Sequence, residues 1–108
     1  MEVTQFQNEV RAWAEKNFGP KVGTGYRSLL GAMEELGELA HAHLKEEQRI
    51  RPMDYDAAKR DAIGDILIYL AHYCCDQGFD LQAILDETWN EVRKRDWNKN
   101  KENGVTNG

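Results

Sequence analysis

Glycine and proline break this chain at three places, and those breaks leave few architectures open to it. They fall in the run Gly19-Pro20-Lys21-Val22-Gly23-Thr24-Gly25, at Pro52 and at Gly78, and every stretch between them is long enough for a helix. The first segment opens on Thr4-Gln5-Phe6-Gln7, a capping-box spacing, and sets Phe6, Val10, Trp13 and Ala14 at helical intervals as far as Phe18. The second covers about residues 25–47 behind Thr24 as cap, with Leu29, Leu30, Met33, Leu36, Leu39 and Ala40 as its apolar stripe. The third starts behind Asp54, carries Ala58, Ala62, Ile66, Leu67, Leu70 and Cys74 on one side, and ends at Gly78, a natural C-terminal cap. The fourth starts behind Asp80 and repeats Leu81, Ile84, Leu85, Thr88 and Val92.

No stretch alternates as a strand requires, so the pattern predicts an all-α protomer resembling a four-helix bundle. A chain of 108 residues suffices for one domain, expected over residues 1–97. Residues 98–108 hold Val105 as their one apolar side chain and bury too little to offset their ordering entropy, which predicts a flexible tail. Small size also limits what one copy can bury and favours a homodimer or tetramer. With 14 Lys and Arg against 19 Asp and Glu, the net charge of -5 has the wrong sign for general binding to nucleic-acid polymers. There is no apolar run of the ~20 residues a membrane span needs, and Met1-Glu2-Val3-Thr4-Gln5 lacks the start of a signal peptide, so the expected place is the cytoplasm. Cys74 and Cys75 are adjacent in an apolar segment and read as buried, reduced thiols rather than a disulfide or zinc pair.

The chemistry concentrates in Glu34-Glu35-Leu36-Gly37-Glu38. Glu38 stands three residues from Glu35 and four from Glu34, so the acids share one helix face, and no Lys or Arg lies between Arg27 and Lys45 to neutralise them. A solvated surface is the plain reading of such a run; a bound divalent cation is the functional one. Leu36 and Leu39 belong to the apolar stripe, so part of the acidic face is expected near the interior, where unpaired carboxylates are costly. The third segment adds Asp61 and Asp65, one turn apart, followed on the same side by Tyr69 and His72. Asp is a poor helix former, and two of them inside an apolar helix call for a partner, be it Lys59, Arg60 or a metal. If the second and third helices pack antiparallel, the two patches supply four or five oxygen ligands, a hard set suited to Mg²⁺, with Mn²⁺ as a substitute. Gly37 and Gly64 each precede an acid and cost about 1 kcal/mol in a helix against Ala, which points to close helix approach or ligand access. Mg²⁺ held by few carboxylates binds substrate phosphates, and phosphoryl chemistry follows. Lys45, Asn90, Arg93 and Arg95 are candidates for phosphate contact, although a basic run near a helix C-terminus also answers the helix dipole.

These residues resemble the MazG-like all-α nucleoside triphosphate pyrophosphohydrolases, relatives of dimeric dUTPases and dCTP pyrophosphatase, a family marked by EExxE on one helix and ExxD on the next. Glu34-Glu35-Leu36-Gly37-Glu38 matches the first motif in full, Gly64-Asp65-Ile66-Leu67-Ile68-Tyr69-Leu70 looks like the segment that ends the second, and the likeness covers about residues 29–97. The resemblance implies that Glu35, Glu38 and Asp65 are metal ligands, that Glu34 is a ligand or assists the attacking water, that Tyr69 lines a nucleoside pocket and that Asn90 contacts substrate. It implies attack of water on the α-phosphate, giving a nucleoside monophosphate and pyrophosphate, in nucleotide pool control. Two positions depart from the family's pattern. Ala62 stands where ExxD has its Glu, and Asp61, one turn before Asp65 and about 40° round from it, is the acid expected to fill the gap. Val92 stands where many relatives have a Lys, two places after Asn90, which leaves open the basic residue that meets the phosphates.

Glu38-Leu39-Ala40-His41 also has the ExxH spacing of di-iron bundles, but the pattern occurs once, and Tyr69 precedes His72 where a second ligand is needed. His41 and His43 read as ordinary helix residues. The glycine-rich run at residues 19–25 lacks the GK[ST] ending of a phosphate loop and reads as a helix connection bordering the pocket. Trp13, Phe18 and Tyr26 read as packing residues, with stacking on a base as the alternative, and Trp89 and Trp97 as core or subunit contacts. A non-catalytic acidic interaction module accounts for size, charge and helices, but not for two compact acid clusters beside glycines in the most apolar helices.

Overall fold

The computed structural model describes residues 1–19, 25–50 and 52–105. These form four helices and no strand: α1 (Val3–Phe18), α2 (Tyr26–Gln48), α3 (Tyr55–Gln77) and α4 (Leu81–Val92). Among the described residues no helix is long and apolar enough to cross a membrane.

Helices α3 and α4 start where their caps predict. Asp54 accepts the Ala57 backbone N–H at 3.0 Å, and Asp80 accepts those of Gln82 at 3.0 Å and Ala83 at 3.4 Å. Gly78 ends α3 at φ 72° with its N–H on the Cys74 and Cys75 carbonyls. Helix α1 differs from expectation, because it begins at Val3 with Glu2 as a cap that makes no side-chain bond, so Thr4 lies inside the first turn. Gln7, expected in a capping box, is buried and turned toward the α3–α4 junction. Its Nε2 donates to the Phe79 carbonyl at 2.8 Å and its Oε1 accepts the Leu81 N–H at 2.8 Å. Thr24, the expected cap of α2, lies outside the described residues, and Gly25 precedes that helix at φ 74°.

Helices α2 and α3 form an antiparallel hairpin, α1 lies along α3, and α4 lies against α1. The register of the hairpin is set by Ser28 Oγ at 3.2 Å from His72 Nδ1, Gly31 under the Tyr69 ring, and Lys59 Nζ at 2.6 Å from Glu46. Small residues make this seam: Ser28, Ala42 and Ala62 are buried, and Gly31 lets an aromatic ring onto the backbone. Leu39 and Ile66 of the expected stripes are half-buried, but most of the large apolar residues are exposed. Leu29, Leu30, Met33, Leu36, Leu67 and Leu70, all expected in the core, are 38–68% exposed, and α4 buries none of its residues. A compact chain of this size has a radius of gyration near ~13 Å. Here it is 17.7 Å, with extents of 50 × 43 × 26 Å. Cys74 is buried and Cys75 half-buried, both free thiols, and burial pushes the Cys74 thiol up.

Beyond α4 the described part of the expected tail carries hydrogen bonds of its own. The Asp96 N–H donates to the Gly104 carbonyl at 2.7 Å, and the Asn100 N–H donates to Asp96 O and the Gly104 N–H to Asn100 O, each at 2.8 Å. The Asp96 carboxylate also accepts the N–H groups of Asn98 and Lys99 at 3.0 and 3.1 Å. Gly104, at φ 77°, carries the Trp97 ring so closely that a Cβ would stand 2.8 Å from it. Backbone and Asx hydrogen bonds order this loop, a source of order that hydropathy does not register. Residues 106–108 of the expected tail lie outside the described residues.

Replacing Gln7 by Ala strands the Phe79 carbonyl and the Leu81 N–H at the junction. The variant is expected to lose about 2 kcal/mol in urea unfolding at fixed protein concentration. A loss below about 0.5 kcal/mol would show that α1 is held by apolar contact alone.

Candidate metal centre

Adjacent turns of α2 present Glu34, Glu35 and Glu38, and one carboxylate oxygen from each lies within 4.8 Å of the others. Glu34 and Glu38 are exposed. Glu35 is half-buried because it follows Gly31 by four residues and Ser28 by seven, which sets it on the side of α2 that meets α3. Its Oε2 is shut off from solvent and has no hydrogen-bond partner. A carboxylate oxygen in that condition calls for a cation or a donor. Burial, above all, holds the Glu35 carboxyl above the usual carboxylate range, followed by the adjoining Glu38 carboxyl and then the charges of Asp65 and Glu34.

Asp65 approaches from α3. It is half-buried, lies outside the 4.8 Å group, and is close enough for its charge to be felt at Glu35. Asp61, expected to replace the missing acid of ExxD, is exposed, outside the group, and absent from the charges that act on Glu35. Ala62, at the position where ExxD has its Glu, is buried. Lys59, weighed as a partner for Asp61, is paired with Glu46 instead.

The substrate candidates divide into near and far. Tyr69 is half-buried one turn beyond Asp65, with its ring on Gly31. Lys45 lies two turns beyond Glu38 on the same helix, its Nζ donating to Gln48 at 3.2 Å. Asn90 accepts from Arg93 at 3.3 Å, and both, with Arg95, are exposed at the far end of α4. Helix α4 packs on α1, and neither Arg93 nor Arg95 is among the charges that act on Glu35. Trp13 lines an apolar groove of about 320 Å³ with Phe6, Val10 and Ile68, and its ring stands edge-on to Phe18 at 5.5 Å. His41 is exposed, and His43 pairs with Glu47 at 3.1 Å.

Neither Gly37 nor Gly64 has a neighbour within 4 Å of where a Cβ would stand, so of the two expectations there, close helix approach or ligand access, the first does not occur. It occurs at Gly31, where a Cβ would meet the Tyr69 ring at 2.4 Å. The signal was the same one, a glycine inside a helix, placed four residues before Glu35 rather than beside an acid.

Compared with known protein families, curated proteins and solved structures, the chain has no significant match.

A raised carboxyl pKa means that the folded chain holds the proton more tightly than the unfolded one. Ionised Glu35 therefore lowers stability above its raised pKa, and the loss fades as the pH falls toward the ordinary carboxylate range. With divalent cations chelated, Glu35→Gln is expected to melt above the parent near about pH 7.5 and level with it near about pH 4. A variant that melts lower at both would reveal a stabilising partner for the carboxylate.

Proposed function

We propose that the protein is a Mg²⁺-dependent nucleoside triphosphate pyrophosphohydrolase of the MazG-like all-α type, acting on nucleotide pools in the cytoplasm as a homodimer or tetramer. Glu35 carries this reading, since a buried carboxylate oxygen without a partner stands among three carboxylates within 4.8 Å. An all-oxygen donor set fits Mg²⁺ first and Mn²⁺ second. Glu35 and Glu38 would hold the ion, with Asp65 joining from α3 directly or through water. When bound, Mg²⁺ supplies neutralisation of the acids, ligation of substrate phosphate oxygens and a lower pKa for water.

Glu34, exposed at the rim of the group, takes the proton of the attacking water on its carboxylate. The water oxygen bonds to the α-phosphorus as the bond from that phosphorus to the bridging oxygen breaks, and pyrophosphate leaves from a nucleoside monophosphate. Lys45, on the helix that carries the acids and seven residues beyond Glu38, would meet the leaving group. Asn90, Arg93 and Arg95, exposed at the far end of α4, would serve the site across a subunit boundary.

Self-association rests on the uncovered stripes. Leu29, Met33 and Leu36 on α2, and Ile63, Leu67 and Leu70 on α3, are exposed at alternating four- and three-residue spacings, the repeat of helices that pair side by side. A second copy laid over both stripes would complete a four-helix core.

A panel of ribo- and deoxyribonucleoside triphosphates with Mg²⁺, run with and without added inorganic pyrophosphatase, tests the activity. Monophosphate product is expected, with inorganic phosphate only when pyrophosphatase is present. Glu38→Ala should lower kcat about 100-fold or more with the helix content intact; retention within about tenfold would remove Glu38 from the ligand set. Asp61→Asn should keep the parent's Mg²⁺ dependence. Leu67→Glu should shift sedimentation toward a single copy. An inert protein that Mg²⁺ and a nonhydrolysable nucleotide leave at its original melting temperature would instead be an interaction module.

A further inference from the structure

The contact between Gly31 and Tyr69 reaches beyond helix packing. A Cβ on Gly31 would stand 2.4, 2.5 and 2.7 Å from three carbons of the Tyr69 ring, so the ring lies on bare α2 backbone and occupies the space a side chain would take. No other described helix-interior glycine is used in this way, since Gly37 and Gly64 face open space. Gly31 stands four residues before Glu35, and Tyr69 four beyond Asp65, so ring and acids occupy neighbouring levels of the α2–α3 hairpin, about 6 Å apart along the helix axes. A nucleotide with phosphates at the acids would bring its sugar or base to the level of the ring. The ring is half-buried, leaving part of it for a ligand.

We propose that Gly31 is a positioning residue: by carrying no side chain it seats the Tyr69 ring against α2 and so sets the room for the nucleoside end of the substrate. A methyl group at Gly31 would leave helix α2 in place, because Ala is the better helix former, and would drive the Tyr69 ring off the backbone. Nucleoside binding would then suffer while the acids one turn away kept their places. The proposal rests on the nucleotide reading of the acid cluster, and its test separates the two.

Kinetics of the best substrate from the panel are measured for the parent, Gly31→Ala, Tyr69→Leu and the double variant, with Tyr69 ring signals followed by NMR and assigned through Tyr69→Phe. Gly31→Ala is expected to raise KM about tenfold, the scale of one misplaced methyl in a pocket, with kcat within about threefold and Mg²⁺ dependence unchanged. The Tyr69 signals should shift and lose their cross-peaks to residue 31, and Gly31→Ala should add nothing in the Tyr69→Leu background. An unchanged KM, a loss confined to kcat, or additive effects in the double variant would overturn the proposal. A parent that hydrolyses no triphosphate would defeat the proposed activity. Titration with a nonhydrolysable triphosphate then decides: Tyr69 signals that respond in the parent and not in Gly31→Ala uphold the positioning role, and signals that never respond overturn it.

Discussion

Where Tyr69 rests on Gly31, helices α2 and α3 approach as closely as an aromatic ring on bare backbone allows, and that approach governs the rest of the molecule. It fixes an antiparallel register in which Ser28 meets His72 and Glu46 meets Lys59, so the seam is lined by hydroxyl, amino and small apolar groups. A seam this narrow takes Leu39 only half-buried and leaves most of the other leucines outside. They are displaced to the flanks, and Glu35, on the seam side of α2, is carried inward with them kept out. The buried carboxylate oxygen and the exposed leucines are thus two consequences of one packing choice.

Much of this architecture was legible in the chain. Asp54, Gly78 and Asp80 act locally, each satisfying backbone groups within four residues, so their helix ends follow from sequence alone. Gln7 does not, because its partners at Phe79 and Leu81 are more than 70 residues away and no local spacing announces them. The apolar stripes were legible as stripes, but periodicity marks a face without saying what covers it, and Leu36 and Leu67 show the difference. The hydrogen bonds around Asp96 are not announced by composition for a related reason, since they are made by backbone groups and polar side chains that hydropathy does not distinguish.

The candidate site divides along the same line. Glu34, Glu35 and Glu38 are brought together by the helix repeat itself, which any reader of the sequence can apply. Which acids of α3 join them depends on the register between two helices, a tertiary quantity. That register brings Asp65 near, leaves Asp61 exposed and buries Ala62. Helix α2 supplies most of the charge, and α3 contributes one nearby carboxylate, Asp65, rather than a second acidic wall.

Two deficits of the single copy remain, and they differ in kind. The orphaned oxygen of Glu35 lacks a charge partner, which apolar cover would make worse by deepening its desolvation. The exposed stripes lack cover, which a cation does nothing to provide. A second copy laid over Met33, Leu36 and Leu67 would border the turn that carries the acids and lower the effective dielectric around them. Each ionised carboxylate would then be harder to keep without a cation, so in the proposed assembly self-association and metal binding reinforce each other through the shared surroundings of Glu35.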